Sequence, residues 1–476
     1  MGEQGMKQGI KFFLSTLVVA GLVFAGLGYA AKVTERKDSV NKYAEFYDQE
    51  GDFDVLFLGQ SRVLNSVFPM ELWKEYGIVS YNLAGHGNRI PTNYWLLLSA
   101  LEETSPKLVV LDCGLMQGQD KVGTIEQLHL SVDHISFGKT KIAMIEDLLG
   151  DSEQKWDFLW KFSTYHNRWT EVTGADFVPQ PSVEKGAESR IGVAAPEGHL
   201  DFGREEKIQL ESIGMEYLGK IIEECQARDI QILLTYVPFP DPSGWQLESN
   251  KVWDIAEEYG VDYLDFHTLF PVINLYTDCY DPSAHLNPSG GWKISSYLGQ
   301  YIVDHCEIED QRENPLYAHW HEDYEVYRQF KWENLREEEE LKNYLMLLYD
   351  KELSFGIWLE PGAGWLEDMT IRELLANIGT EVESYREGNH FVLVDRQENR
   401  IVQISEGEEE KTALGNFGMR INFDTAAMIV DWNGEEYAFD KQAAAGILVF
   451  NRETGEMLDF AQFTVDSVNS SRISTE

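Results

Sequence analysis

Three hydrophobic patterns succeed one another along the 476 residues. The first is a run of twenty uncharged positions, residues 12–31, FFLSTLVVAGLVFAGLGYAA. About 20 apolar residues cross the hydrocarbon core of a bilayer as a helix. Lys7 and Lys11 precede the run, as a cytoplasmic flank would, but Lys32, Arg36 and Lys37 follow it, so flanking charge alone orients it weakly. One reading is a signal peptide cleaved near Ala30. Signal-peptide cores run about 7–15 residues, so the length favours an uncleaved signal anchor. The chain is then a single-pass membrane protein with its bulk outside the cytoplasmic membrane.

The second pattern follows a polar stretch, 32–50, that reads as a membrane-proximal helix or linker. Short runs rich in β-branched and large apolar residues occur at 54–58, 107–112, 230–237 and 261–265. Buried parallel strands have this length and composition. Helical periodicity separates them at 91–103, 205–227 and 250–259. Strands alternating with helices predict an α/β domain with a mainly parallel sheet. Residues 172–204, with Gly, Pro and Ser and little periodicity, read as an insertion or surface loop. Residues 308–345 are charged, aromatic and helical in pattern. The acidic run 337–340 is expected to be a solvated face.

The third pattern begins after residue 350. FGIWL, HFVLVD, IVQIS, MIVDW and GILVFN are spaced by Gly, Asn and Asp, which predicts a β-rich α+β unit. The segment GILVFNRETGEMLDFAQF predicts a hairpin. The expected divisions are 1–34 (stub and anchor), 35–307 (α/β domain), 308–345 (charged connector) and 346–476 (C-terminal domain). A chain ended near residue 308 is expected to keep a folded α/β core.

Composition narrows the function. A formal net charge of −42 repels phosphate backbones, so nucleic acid is not an expected partner. The four cysteines, Cys113, Cys225, Cys279 and Cys306, show no zinc-ligand spacing. They are expected to be buried free thiols, with a Cys279–Cys306 bridge as the alternative. Gly85 and Gly87 do not make a dinucleotide loop. No metal or cofactor is expected.

Two segments carry candidate chemistry. The first strand runs into Gly59-Gln60-Ser61-Arg62, and a residue just past the carboxyl end of a parallel strand lies where such sheets place their sites. Ser61 is a candidate nucleophile there, or simply a helix-capping serine. Near the end of the α/β region, Asp281-Pro282-Ser283-Ala284-His285 offers a His able to take a hydroxyl proton and a carboxylate able to fix its tautomer. A plain surface histidine is the alternative.

Together these segments resemble the SGNH (GDSL-like) serine hydrolases, over about residues 52–305. FLGQSRVLNSVFP resembles the nucleophile block, with Ser61 as nucleophile. YNLAGHGN resembles the glycine block, with Gly87 in the oxyanion hole. DPSAHLNPSG resembles the Asp/His block, with His285 as base. The resemblance implies a flavodoxin-like parallel sheet sandwiched by helices and a Ser61–His285–Asp281 triad.

Two departures stand out. The family's Asp stands three positions before its His, whereas Asp281 stands four before His285, leaving Asp278 as a rival. The family's third block carries an oxyanion-binding Asn, whereas Leu111–Gln117 has none and offers Gln117 as a substitute. Losing one such donor typically costs about a hundred- to a thousandfold in rate, which suits slow, specific chemistry.

Membrane-anchored members of this kind resemble extracytoplasmic O-acyltransferases of cell-envelope polymers. That resemblance implies a polysaccharide substrate, acetyl or similar acyl groups, and a membrane-bound O-acyltransferase partner. Arg62, His86 and Arg168 are candidate substrate-binding residues. His86 is expected in the pocket wall rather than as base, since no acid lies near it in sequence. A catalytically inactive SGNH-fold binding protein is the alternative function. Residues 445–459 bear a faint resemblance to the interleukin-like EMT inducer domain, which makes Trp432 and Trp358 candidate carbohydrate contacts.

Overall fold

The computed structural model describes residues 2–35, 42–48, 52–178, 182–195, 205–209, 211–237, 245–269, 272–386, 390–422, 427–466 and 469–473. Helix α1 (Gly2–Thr34) contains a stretch, Gln8–Thr34, long and apolar enough to cross a membrane. A short α2 (Lys42–Asp48) follows.

Five strands form one parallel sheet: β1 (Val55–Leu58), β2 (Ser80–Asn82), β3 (Leu108–Asp112), β4 (Gln231–Tyr236) and β5 (Asp262–Asp265), in the order β2-β1-β3-β4-β5. The four strands expected from apolar runs are all present. β2 has only three residues, Ser-Tyr-Asn, and shows no such run. Side chains alternate between two cores. Leu56, Leu58, Val109, Leu111, Ile232 and Leu234 face one; Val55, Phe57, Leu108, Val110 and Leu233 face the other. A strand buried on both faces reads as a continuous apolar run for this reason.

The helices of this part are α3 (Ser61–Leu64), α4 (Pro69–Tyr76), α5 (Ile90–Ala100), α6 (Ile125–Val132), α7 (Lys139–Leu149), α8 (Lys155–Leu159), α9 (Lys161–Tyr165), α10 (Ile213–Ala227), α11 (Trp245–Tyr259) and α12 (Pro288–His305). The helix expected over 205–227 begins only at Ile213. Ser212 caps it, accepting from the Met215 amide at 3.0 Å while its hydroxyl donates to the Met116 carbonyl at 2.6 Å.

The charged segment after residue 308 is deeply engaged. Helix α13 (His319–Glu337) presents Trp320, Tyr324 and Tyr327, and these pack into the same core as Phe53, Trp73 and Tyr81. Of the acidic residues 337–340, Glu337 ends the helix and the rest follow it; all but the half-buried Glu338 are exposed. Helix α14 (Leu341–Leu347) leads into a six-stranded sheet of order β15-β14-β13-β6-β7-β8. Its strands are β6 (Leu353–Leu359), β7 (His390–Asp395), β8 (Arg400–Ser405), β13 (Ala445–Asn451), β14 (Met457–Asp466) and β15 (Asn469–Arg472). The expected hairpin is β13–β14, antiparallel with a register shift at Val449/Phe450.

A four-stranded antiparallel sheet comprises β9 (Glu409–Lys411), β10 (Asn416–Asn422), β11 (Ala427–Trp432) and β12 (Glu435–Ala438). Along β13, Ile447 and Val449 pack towards α14 and α15 (Met369–Asn377), while Leu448 and Phe450 pack towards the four-stranded sheet. Trp432 belongs to that second core, 4.1 Å from the Phe417 ring and 4.6 Å from the Phe450 ring. It is therefore not available as a carbohydrate contact. Trp358 is half-buried, stacked on Phe439. All four cysteines are free thiols, with Cys306 half-buried and the others buried.

Candidate active site

The strand order reverses direction between β1 and β3, and a crevice at the carboxyl ends of parallel strands opens at such a point. β1 ends there at Leu58. Gly59 must be a glycine, because a Cβ would stand 2.7 Å from Val63 Cγ2. Ser61 opens α3 and is partly exposed.

So short a helix needs outside support. Asn82, at the end of β2, donates to the carbonyls of Val63 and Val67 at 3.0 and 2.9 Å and accepts from the Ala84 amide. The Glu188 amide donates to the Leu64 carbonyl at 3.0 Å, and Asn65 donates to the Glu188 carbonyl at 2.6 Å.

Residues 279–286 form a tight hairpin. Cys279 and Leu286 make an antiparallel bridge, and the Tyr280 amide donates to the His285 carbonyl at 2.9 Å. Ala284 lies at φ 59°, in the left-handed region. That turn takes up the extra residue between Asp281 and His285. One carboxylate then holds the histidine twice, through its backbone amide at 3.1 Å and through Nδ1 at 2.8 Å. His285 Nε2 stands 2.9 Å from Ser61 Oγ, joining residues 224 apart in sequence. With Nδ1 donating to the carboxylate, Nε2 is left to accept the serine proton.

Asp278, the rival carboxylate, is fully buried. It pairs with Lys293 at 2.7 Å and accepts from Ser289 and from the Asn274 amide. It anchors the start of α12, while Asp281 orients the histidine.

Ala284 gives a direct test of this turn. A left-handed backbone costs a non-glycine residue about 1–2 kcal/mol. Ala284→Gly is expected to leave thermal stability unchanged or slightly raised. Ala284→Val, β-branched at a buried position, is expected to lower it by at least about 2 kcal/mol and to disturb His285. Melting curves of the two variants check this.

Gly87 lies in the 85–88 turn at φ 67°, where a Cβ would run into the Gln127 carboxamide. Among the described residues no hydrogen bond takes the amide of Gly87 or of Ser61. Gln117 is exposed, and its backbone N–H donates to Glu248 at 2.6 Å. Among the described residues no hydrogen bond links it to Ser61, Gly87 or His285.

Arg62 is not at the surface. It is 2% exposed, donates to the Val237 carbonyl at 2.9 Å and lies over the Tyr236 and Trp245 rings. Its charge is spent inside the protein, against Asp112. Arg168 is likewise engaged elsewhere, donating to the Thr34 and Glu35 carbonyls at the end of α1. Neither is free to take a substrate group.

His86 does have an acid partner, 102 residues away: its Nε2 lies 3.0 Å from Glu188 Oε2. Glu188 also pairs with Arg190, which is half-exposed. This segment, 182–195, was expected to be surface loop. Ser182 and residues 184–188 are instead buried, and the segment runs as a strap from α3 to the hairpin. There the Ala194 amide donates to the Cys279 carbonyl and Asn287 donates to the Gly192 carbonyl. Nothing in the local sequence pattern marks that path.

Beneath the site lies a buried polar layer. Asp112 accepts from the Val237 and Gly114 amides. Burial raises its pKa, and Arg62 opposes the rise. Glu248 accepts from the Tyr236 hydroxyl at 2.7 Å; burial pushes it up to about 7 against these donors and Arg62. A carboxyl raised in the folded state contributes most stability below its unfolded value, and the contribution is lost as pH rises through about 7. Glu248→Gln is therefore expected to raise the melting temperature at pH 8 relative to the parent, by up to about 3 kcal/mol of stability, and to change it little at pH 5. Among the described residues no group of three or more His, Cys, Asp or Glu side chains converges as metal ligands would.

No family model matches the chain, and no curated protein matches it. Among solved structures, one similar chain is a Bacteroides fragilis NCTC 9343 protein described as a "putative acylhydrolase". It is 12% identical, with a TM-score of 0.29, over 56% of this chain and 99% of that one.

Proposed function

We propose that the protein is an SGNH-type serine esterase or O-acyltransferase, using Ser61 as nucleophile, His285 as general base and Asp281 to orient the imidazole. The observation that carries this reading is the continuous Ser61–His285–Asp281 relay, at 2.9 and 2.8 Å. It stands at the carboxyl edge of a parallel sheet in the flavodoxin-like order. His285 takes the Ser61 proton as Oγ attacks an acyl carbonyl, then returns it to the leaving alkoxide, leaving an acyl-enzyme. Water or a polymer hydroxyl, deprotonated by the same imidazole, then attacks the acyl carbonyl; the Oγ–acyl bond breaks and the imidazolium returns the proton to Ser61 Oγ. The free amides of Ser61 and Gly87 are the donors offered to the oxyanion. With the family's third-block Asn missing and exposed Gln117 the substitute side-chain donor from Leu111–Gln117, slow and specific turnover is expected.

The proposed substrate is an acylated cell-envelope polysaccharide, with acetyl as the group moved and a membrane-bound O-acyltransferase as the donor partner. The apolar α1 supports placement outside the cytoplasmic membrane. The full chain is expected to hydrolyse p-nitrophenyl acetate in a Ser61-dependent manner. Failure to turn over any aryl ester would favour the non-catalytic binding protein. Protease added to intact protoplasts is expected to digest residues beyond α1; a protected chain would reverse the topology.

A further inference from the structure

Residues Tyr165–Trp169, polar and aromatic and without a part in the catalytic reading, pack against the membrane helix. Tyr165 is buried, donating to Asp133 at 2.7 Å, but Trp169 is 72% exposed. It is not alone. Of the fourteen exposed large hydrophobic residues outside α1 among the described residues, seven fall within 137–178: Phe137, Ile142, Trp156, Trp160, Trp169, Phe177 and Val178. The other seven are scattered over the rest of the chain. Single exposed apolar side chains need no explanation, whereas a concentration of them marks an interaction surface.

Phe137, Trp160 and Phe177 of this group lie beside the outer end of α1, and the 3-10 turn that carries Trp169 also packs on it. Trp160 meets Phe24 edge-on, ring centroids 6.0 Å apart. Arg168 caps the helix end through Thr34 and Glu35, and Lys161 pairs with Glu35 at 2.9 Å. Phe24, Leu27 and Tyr29 of α1 share a groove of about 700 Å³ with Phe137, Trp160 and Phe177.

Helix geometry fixes the depth. Residues 12–31 make about 30 Å of helix at about 1.5 Å per residue, matching a hydrocarbon core of about 30 Å. Lys11 at one end and Lys32 at the other leave little room to slide the span. Phe24 then lies seven residues, about 10 Å, inside the outer boundary. A Trp ring in contact with Phe24 cannot stand in bulk water above the bilayer.

We propose that the 137–178 face is seated in the outer leaflet, its Trp and Phe side chains at the level of the lipid headgroups and upper acyl chains. The α/β domain is thereby docked on the membrane rather than hung from a tether. The occupant of the groove is lipid. Its continuity with α1 argues for this, as does the aromatic composition, because Trp rings favour the membrane interface. In a chain of net charge −42 attraction to anionic headgroups contributes little, so docking is expected to persist in zwitterionic bilayers. The proposal rests on α1 spanning the membrane and is independent of the catalytic reading.

The test uses the full chain in phosphatidylcholine nanodiscs. Single cysteines are introduced by Phe137→Cys, Trp169→Cys or Phe177→Cys in a Cys306→Ser background and labelled with an environment-sensitive fluorophore. Val326→Cys on α13 and Ile401→Cys on β8 serve as exposed controls, and Val23→Cys within α1 as the span control. Labels at 137, 169 and 177 are expected to shift to the blue and to be quenched by lipids carrying a nitroxide on the upper acyl chain. The controls at 326 and 401 should be neither shifted nor quenched. Quenching at 137, 169 and 177 no greater than at 326 and 401 would overturn docking and leave the face to a protein partner. An unquenched label at Val23→Cys would remove the span, and the proposal with it.

Discussion

Ser61→Ala is expected to lower ester turnover by about a million-fold, to the level set by binding and the oxyanion donors alone. His285→Ala should fall to nearly the same floor, and the double variant no lower, because the members of such a relay act as a unit. Asp281→Asn should cost about ten-thousandfold. Its amide would still meet Nδ1 but would favour the wrong tautomer, turning Nε2 from acceptor to donor towards Ser61. Ser61→Ala and Asp281→Asn are nearly isosteric and lie at partly exposed positions, so their melting temperatures should scarcely move; His285→Ala also gives up the ring's stacking on Tyr280. A parallel collapse of activity and stability would point to folding instead. Asp278→Asn offers the contrast. It neutralises the carboxylate paired with the half-buried Lys293, whose other partner is Asn377, so stability is expected to fall more than the chemistry does.

The largest stability loss is expected at Lys331. Its ammonium is buried on α13 and pairs with Glu71 of α4 at 2.9 Å, with Asp350 at 3.1 Å and with Glu352 at 3.2 Å. It thus ties the parallel-sheet part to the start of the β-rich part. Burial raises Glu71, with Lys331 opposing. Burial would raise Glu352 too, but Lys331 and Lys74 outweigh it and hold the carboxyl at about 2.

Lys331→Met leaves three carboxylates around an apolar stem. Removing one partner of a buried ion pair costs about 3–5 kcal/mol, against a total stability of about 5–15 kcal/mol for a typical domain. Urea unfolding at pH 7 should show that loss. The deficit should shrink near pH 5, as the stranded carboxylates take up protons. In the parent, the stability that Glu352 contributes is present above its unfolded pKa, about 4.3, and is lost as pH falls from there to about 2. A variant whose deficit is the same at both pH values would mean that these charges are not what joins the two parts.

What could be read from the sequence follows the range of the interactions. β1, β3, β4 and β5 announce themselves because strands covered on both faces need unbroken apolar runs. β2 does not, since Ser80 and Asn82 are polar. Asn82 spends its amide holding the Ser61 helix, a task set by tertiary contact. The segments around Ser61, Gly87 and His285 stand out in the sequence because each is a local motif with little freedom of spacing, and the structure brings Ser61, His285 and Asp281 into contact.

Arg62 and Arg168 were misplaced because a sequence shows a charge without its partners. Those partners, the Val237 carbonyl with the Tyr236 and Trp245 rings, and the end of α1, lie more than 100 residues away. The His86–Glu188 pair was hidden for the same reason. The integration of α13 into the α/β core had a readable signal that its charge obscured. Trp320, Tyr324, Tyr327 and Lys331 recur at helical spacing, one buried stripe on an otherwise acidic helix. Ending the chain near residue 308 would strip those rings from Phe53 and Trp73, so the shortened chain is expected to lose cooperative unfolding rather than keep it.

The central claim is that Ser61 is a nucleophile armed by His285, and covalent capture tests it most directly. The full chain is treated with a fluorophosphonate, digested, and its peptides are weighed by mass spectrometry. The account predicts one stoichiometric adduct on Ser61, lost in Ser61→Ala and formed at a small fraction of the parent rate in His285→Ala. An unmodified Ser61, an adduct on another residue, or labelling that proceeds equally well in His285→Ala would contradict it.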